Sequence, residues 1–287
     1  MSVANVENKK GYKVLDHEVG VVKGYKMYFN IPAFPKVEPA YANATKADEE
    51  DEIHGVAIKI SEKDMAALDA QEISYRKITV TVEGYSGRKI GSCSMYINTK
   101  ANFLPPEKQI PSFRYLNLLI NGAIEANLNE DYINKLKATK AYVADEETRN
   151  IRKSLPKPET LQPFSVETLF ATKSESLGIQ ADDGIKPGEH AYVAVLGYVI
   201  KMPRNKCIWS SHLGRDLTAR CLRHFRGEPI STGVNVIKDD DMGRPPYPDL
   251  KQIKPDEVEY LYNWLDHYLE KGEVVGYITE YLEQLKQ

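Results

Sequence analysis

Three arginines recur at every third position in a segment, residues 214–226, whose pattern predicts a helix: Arg220, Arg223 and Arg226. On a helix this spacing brings the three guanidinium groups near one face. Such a face could bind phosphate, anionic lipid or an acidic partner surface, because guanidinium pairs well with anionic oxygens. The same pattern is typical of a solvated helix face with local ion pairs. The sequence leaves both interpretations open.

Other motifs that carry chemistry are missing from the sequence. It contains no P-loop, no Gly-x-Ser-x-Gly, no His-Glu-x-x-His and no dinucleotide-binding glycine triplet. Its three cysteines, Cys93, Cys207 and Cys221, are odd in number and widely spaced. This pattern favours a reducing compartment over a disulfide framework or a cysteine-based zinc site. We therefore expect no metal centre.

Length and charge limit the classes of protein that remain. The chain has 287 residues, enough for two domains, and 42% of them are hydrophobic, which argues against a mostly disordered chain. A net charge of -3 argues against a dedicated nucleic-acid binder. The sequence shows neither an apolar run long enough for a transmembrane segment nor a cleavable signal. We expect an intracellular protein, either cytoplasmic or cytoskeletal (ciliary) or mitochondrial.

The elements that must position any site follow from local patterns. In the first half, β-rich runs predict strands, and capping residues followed by apolar stripes predict helices. The predicted strands are Tyr25–Phe29, Val56–Ile60, Lys77–Glu83 and Cys93–Ile97. The predicted helices are a short one capped by Ser61, one over 113–127 and one capped by Asn129.

A charged, proline-containing segment, residues 141–162, predicts a linker between two domains. Beyond it, a helix starts near Phe164 and a hairpin over 192–200 turns near Leu196 and Gly197. A long helix over Pro255–Leu269 follows the arginine-bearing segment.

The first half resembles the γ-glutamylcyclotransferase family over about residues 20–138. The resemblance is carried, in order, by the strings GYKMYFNIPAFPKVEPAYAN, HGVAIKISEKDMAALDAQEISYRKITVTV and PSFRYLNLLINGAIEANLNEDYINKL. It implies a small mixed β-barrel with flanking helices. It also implies a reaction in which the α-amine of a γ-glutamyl group attacks its own γ-carbonyl and releases 5-oxoproline. That reaction needs a base and donors for the developing oxyanion, and no metal or redox cofactor.

The resemblance also assigns site residues. Glu72, in Leu-Asp-Ala-Gln-Glu, stands where the family has its catalytic glutamate, and Tyr75 and Tyr115 match tyrosines that line the substrate pocket. Taken alone, Glu72 would be a solvated loop carboxylate and the tyrosines half-buried core residues. One feature is absent: residues 1–24 contain no Tyr-Gly-Ser-Asn loop, whose backbone amides cradle the glutamyl group in the family. This absence favours a degenerate, vestigial site.

The second half resembles the cytochrome b5-like heme/steroid-binding fold of the membrane-associated progesterone receptor type, over about residues 163–280. That branch ligates heme through a tyrosine shortly before Gly-Arg-Asp, and here Trp209 occupies that position. An indole cannot ligate iron, and the His-Pro-Gly-Gly motif of cytochrome b5 is absent. His212, His224 and Cys207 are possible substitutes, but such residues are more often structural. We expect no heme and no other cofactor.

Together these observations predict an α+β protein of two domains: a cyclotransferase-like domain over 1–140, a linker over 141–162 and a cytochrome b5-like domain over 163–287. We predict a non-catalytic accessory or structural subunit of a larger intracellular assembly, whose partners are other protein subunits. The alternatives are an active γ-glutamylcyclotransferase and a carrier that binds heme or sterol in the second domain.

Overall fold

The computed structural model describes residues 3, 6–7, 11–73, 75–99, 102–177, 190–207, 210–228 and 248–286. The chain forms two compact units, Met1–Val143 and Ala144–Gln287. Both mix helices and strands, so the predicted α+β class is confirmed. Within the described ranges, no helix combines the length and the apolar character that crossing a membrane requires.

Unit 1 is built on a four-stranded antiparallel sheet. Its strands lie in the order β4-β1-β5-β6 and are β1 (Asp16–Lys23), β4 (Glu52–Lys59), β5 (Arg76–Gly84) and β6 (Lys89–Ile97). A separate antiparallel ribbon pairs β2 (Tyr25–Phe34) with β3 (Glu38–Lys46). The resemblance implied a mixed barrel. The described sheet curls into a half-barrel, and every strand pair described in this unit is antiparallel.

The pairing of β1 with β5 explains why sequence patterns did not predict β1. Gly20 lies opposite Gly84, and a Cβ on Gly20 would stand 2.4 Å from the carbonyl oxygen of Glu83. Glycine therefore permits the close approach at this point. Because glycine also interrupts the β-branched pattern that marks a strand, β1 was not predicted.

Three helices whose full bounds lie within the described residues accompany these strands in unit 1. They are α1 (Glu62–Gln71), α2 (Phe113–Glu125) and α3 (Glu130–Lys137). The predicted caps are confirmed, because Ser61 accepts a hydrogen bond from the Asp64 amide and Asn129 accepts one from the Tyr132 amide. The apolar face of α2 packs on the ribbon in a cluster whose buried members are Phe29, Ala40 and Leu116.

Unit 2 contains a five-stranded mixed sheet in the order β10-β8-β9-β11-β7. The strands are β7 (Pro163–Phe164), β8 (His190–Val195), β9 (Tyr198–Pro203), β10 (Arg215–Asp216) and β11 (Glu273–Ile278). The helices are α4 (Glu146–Lys153), α5 (Val166–Leu177), α6 (Thr218–Arg226), α7 (Pro255–Leu269) and α8 (Thr279–Lys286). The sheet and its helices enclose a core that includes Leu169, Ala194, Val199 and Ile278.

The predicted hairpin and the long helix are confirmed. β8 and β9 pair across a turn in which Leu196 (φ 52°) and Gly197 (φ 81°) both have positive φ, as a two-residue hairpin turn requires. The arginine-bearing helix, by contrast, begins at Thr218 and not at residue 214. Arg215 and Asp216 pair with β8, and the buried Asp216 carboxylate accepts the Thr218 amide hydrogen at 3.1 Å.

Candidate functional site

Glu72 lies at the C-terminal end of α1, in the turn that leads to β5. Its amide donates to the Leu68 carbonyl at 3.0 Å, and its own carbonyl accepts the Tyr75 amide hydrogen at 2.8 Å. The residue is half-buried. Its carboxylate forms no hydrogen bond or ion pair with any of the residues that the structure describes. One turn therefore presents an uncommitted carboxylate and a tyrosine together.

Tyr75 links this carboxylate to two further tyrosines. Burial raises the pKa of Tyr75, and the adjacent charge of Glu72 raises it further. Burial also raises the pKa of Tyr41, to about 12, and it raises the pKa of Tyr115. Tyr75 interacts electrostatically with both of these tyrosines. The rings of Tyr41 and Tyr115 meet edge to face, with centroids 5.1 Å apart. Electrostatic interactions thus link Glu72 to Tyr75, and Tyr75 to Tyr115 and to Tyr41, which was not predicted.

Tyr115 is fixed at both ends. Its amide donates to the Ser112 hydroxyl oxygen at 3.0 Å, in the first turn of α2, and its phenol oxygen accepts the Ala42 amide hydrogen from β3 at 3.3 Å. The ring also packs edge-on against Phe29, 6.2 Å between centroids. Because the phenol oxygen accepts from a backbone amide, its own proton stays available to a ligand.

A buried ion pair that interacts electrostatically with Tyr41 was not predicted from the sequence. Glu38 on β3 is 1% exposed and accepts from Arg114 Nη1 at 2.9 Å and from the Ser112 hydroxyl. Burial raises the pKa of Glu38, while Arg114 and Ser112 oppose that shift. The signal that could have revealed this pair is a single acidic residue in a segment that is otherwise apolar, Val37 to Ala42.

Two further tyrosines adjoin α1. The Tyr96 hydroxyl donates to Asp69 Oδ1 at 2.6 Å, and the Tyr12 hydroxyl oxygen accepts from Gln71 Nε2 at 2.9 Å. Burial, the bond to Asp69 and the nearby charge of Glu72 all raise the pKa of Tyr96. The charge of Glu72 therefore acts on two phenols, those of Tyr75 and Tyr96, and helps to raise the pKa of each. No group of three or more His, Cys, Asp or Glu side chains suited to a metal ion occurs in the described part of the chain.

Of the four residues singled out in unit 2 as positions for a heme ligand, three lie among the described residues. Trp209 lies outside the described residues. His212 is buried, and its Nδ1 lies 2.6 Å from the Tyr268 hydroxyl. Nδ1 of His224 lies 2.6 Å from the Tyr260 hydroxyl. Cys207 is buried. Each of these three candidate ligands is thus part of the packed interior or bonded to a tyrosine.

The arginines of α6 differ in their surroundings. Arg226 pairs with the buried Glu257 at 2.7 Å, and Arg223 lies 3.6 Å from Glu228. Arg220 interacts electrostatically with the buried His212 and Tyr268. Arg223 and Arg226 are therefore engaged in local ion pairs. An anionic partner for this helix stays a prediction.

Comparison with known proteins bears on unit 1. Residues 52–136 match the model of the AIG2-like family. Among solved structures, a γ-glutamyl cyclotransferase is 23% identical over 54% of this chain and 93% of its own, with a TM-score of 0.41. The human protein loc79017 is 25% identical over 52% of this chain and 89% of its own, with a TM-score of 0.40. YkqA from Bacillus subtilis is 22% identical over 48% of this chain and 49% of its own, with a TM-score of 0.35.

No curated protein matches the chain. The family match is the observation that assigns the domain, since the three TM-scores all lie below 0.5. It spans Glu72, Tyr75 and Tyr115 but covers less than half of the chain. The cytochrome b5-like assignment of residues 163–280 stays a prediction. Residues 52–136 are thus an AIG2-like region of the chain.

Proposed function

We propose that the AIG2-like domain releases 5-oxoproline from γ-glutamyl amines, with Glu72 as the base. One observation carries the proposal: the half-buried Glu72 carboxylate has no hydrogen-bond or ion-pair partner among the described residues and belongs to the turn in which the Tyr75 amide donates to the Glu72 carbonyl. A carboxylate held in this way can accept a proton from a substrate ammonium group. The matched family region holds both residues.

The chemistry requires two proton transfers at one carboxylate. Glu72 takes a proton from the α-ammonium group, and the freed amine attacks the γ-carbonyl carbon. The new C–N bond closes the five-membered ring, and the bond to the original amine breaks. The protonated Glu72 then returns its proton to the leaving amine, and the ring nitrogen gives up its second proton to water, which leaves a neutral lactam and the free amine. The base is thereby regenerated, and no cofactor enters the balance.

The tyrosines supply donors for the charge that develops on the carbonyl oxygen. Burial raises the pKa values of Tyr75 and Tyr115 and keeps both phenols protonated at neutral pH. A phenol that keeps its proton can donate a hydrogen bond to an oxyanion. In this proposal Tyr75 and Tyr115 act as such donors, and Tyr41 packs against Tyr115 to hold its ring.

A second candidate function is a non-catalytic accessory subunit of a protein assembly. It is favoured by the sequence, because none of the 287 residues forms the Tyr-Gly-Ser segment that donates backbone amides in the resembled family. Removing one oxyanion donor typically costs about 3–4 kcal/mol of transition-state stabilisation. In this alternative the domain is retained as a folded surface for other subunits.

For unit 2 we infer that heme is not bound. The position at which the resembled branch has its tyrosine ligand carries Trp209, and an indole cannot ligate iron. Among the possible substitutes, His212 and His224 each engage a tyrosine hydroxyl. Titration of the protein with hemin tests this inference, and a stoichiometric Soret band that depends on His212 would overturn it.

The cyclotransferase proposal is tested by incubating the full chain with a γ-glutamyl dipeptide and detecting 5-oxoproline by mass spectrometry. The matched control substrate is the same dipeptide with an acetylated α-amine, which cannot attack. We expect release from the free-amine substrate alone. Absence of release across γ-glutamyl dipeptides, γ-glutamyl amines and glutathione would favour the accessory subunit instead.

A further inference from the structure

A carboxylate, an imidazole and a phenol are hydrogen-bonded in series in unit 1, away from the residues assigned to the cyclotransferase reaction. His54 Nε2 lies 2.8 Å from Glu52 Oε1, and His54 Nδ1 is hydrogen-bonded to the Tyr85 hydroxyl. Because a carboxylate can only accept, the tautomer of His54 that satisfies both bonds carries its proton on Nε2 and accepts at Nδ1. The order of donors is therefore Tyr85 to His54 to Glu52, which we name the Glu52–His54–Tyr85 relay.

Contacts among β4, β1 and the end of β5 hold the relay residues in place. Glu52 and His54 are two residues apart on β4, so they face the same side of the sheet. His54 lies opposite Val21 on β1, and Tyr85 follows β5 and donates its amide hydrogen to the Val19 carbonyl at 2.8 Å. These contacts hold the three side chains in register.

The imidazole is shielded while its two partners reach solvent. The His54 side chain is 9% exposed, and its ring packs against that of Tyr132 on α3, 4.6 Å between centroids. Tyr85 is 45% exposed. A base that is shielded from water and a phenol that a reagent can reach together form the arrangement of an activated nucleophile.

A backbone donor also points at the phenol oxygen. The amide of Asn129 donates to the Tyr85 oxygen at 2.9 Å. Asn129 caps the N-terminus of α3, where the helix dipole favours negative charge. Loss of the phenol proton to His54 would therefore leave a phenolate that the Asn129 amide stabilises.

We propose that Tyr85 is a nucleophile that accepts an acyl group from an activated acyl donor, with His54 as its general base and Glu52 as the residue that positions His54. The Tyr85 oxygen forms a bond to the acyl carbon as the bond between that carbon and the leaving group breaks. The phenol proton passes to His54 Nδ1 and then to the leaving group. This reaction uses neither Glu72 nor Tyr115 and is independent of the cyclotransferase proposal.

The test measures acetylation of individual tyrosines by limiting N-acetylimidazole, with the modified sites read by peptide mass spectrometry. Tyr28, 37% exposed and without a hydrogen bond from its hydroxyl to any described residue, is the internal control. We expect Tyr85 to react at least about tenfold faster than Tyr28, which is modest for a positioned base.

Two variants separate an activated phenol from a merely structural one. His54→Phe keeps a ring against Tyr132 and removes the base, and should bring the Tyr85 rate down to that of Tyr28. Glu52→Gln should lower the Tyr85 rate several-fold. The Tyr28 rate should stay constant in both variants, which reports an intact fold. If His54→Phe changes the Tyr28 rate, that substitution has disturbed the fold. The Glu52→Gln variant then tests the proposal alone, because Glu52 is partly exposed and its substitution should leave the fold intact. A Tyr85 rate no higher than that of Tyr28 in the unmodified chain, or unchanged in Glu52→Gln, overturns the proposal.

Discussion

Arg114 Nη1 lies 2.9 Å from Glu38 Oε1, and both side chains are almost excluded from solvent, at 11% and 2% exposure. The pair joins α2 to β3, and Arg114 immediately precedes Tyr115. Ser112 belongs to the same network, because its hydroxyl donates to Glu38 and accepts from the Tyr115 amide. A change at the ion pair should therefore disturb the fold of unit 1 and the position of a candidate site tyrosine together.

Arg114→Met tests the first of these effects. The substitution leaves the Glu38 carboxylate buried without its cation, and breaking a buried pair in this way typically costs about 3–5 kcal/mol. We expect the free energy of unfolding, measured by urea denaturation, to fall by that amount. Arg76→Met, at an exposed position on β5, is the control and should change it by less than about 0.5 kcal/mol. Equal effects of the two substitutions would contradict the importance of the pair.

A corresponding prediction for the stability of unit 2 concerns Arg152. On α4, its guanidinium group donates to Asp266 (Nη2 to Oδ2, 2.6 Å), to Asn263 at 2.8 Å and to Glu259 at 2.8 Å, all on α7. Arg152→Ala leaves the buried Asp266 without this cation, and we expect unfolding of unit 2 to become easier by about 3 kcal/mol.

The neighbouring residue Lys153 is exposed, and Lys153→Ala serves as the control for Arg152→Ala. Arg152→Lys should give an intermediate loss, because an ammonium group keeps the charge and lacks the planar fork. Hydrogen exchange of the α4 amides reads out the effect locally. Unchanged protection of α4 in Arg152→Ala would refute the prediction.

The stability of unit 2 should fall in acid because of His212. Burial, together with electrostatic interactions with Arg220, His267 and Lys271, lowers the pKa of His212 from 6.5 to about 3. A histidine whose folded-state pKa is depressed stabilises the fold fully above the unfolded pKa. That stabilisation is lost as the pH falls from 6.5 towards 3, by about 1.4 kcal/mol per pH unit.

His212→Gln tests this pH dependence, because it keeps an acceptor for the Tyr268 hydroxyl but does not titrate. Urea denaturation at pH 7, 6 and 5 should show a smaller loss of stability for the variant than for the unmodified chain. Parallel pH profiles for the two proteins would show that His212 is not the group responsible.

Local patterns predicted much of the fold. Alternating β-branched residues marked β5, and Ser61 and Asn129 marked the starts of two helices. β3 was not predicted, because its alanines and asparagine lack the β-branched signature and its pairing with β2 comes from the tertiary fold. The start of α6 was placed too early, because the pairing of β10 with β8 cannot be read from a helical pattern.

The candidate site likewise contains residues that local patterns could place together and residues that only the tertiary fold brings together. Glu72 and Tyr75 share one turn, so a match of short strings could place them together. Glu38 and Arg114 are separated by 76 positions, and no local pattern connects them. Whether Tyr41 meets Tyr115 likewise depends on how the ribbon packs against α2. Long-range pairs of this kind become visible only in the folded structure.

The base role of Glu72 is tested most directly by comparing the rates of 5-oxoproline release from a γ-glutamyl dipeptide for the unmodified chain, Glu72→Gln and Glu62→Gln. Glu62 lies in the exposed first turn of the same helix and controls for the loss of a negative charge. We predict release by the unmodified chain and by Glu62→Gln, and a loss of at least about 100-fold in Glu72→Gln, as removal of a general base typically causes. Release by Glu72→Gln at the unmodified rate, or none by any of the three proteins, would contradict the proposal.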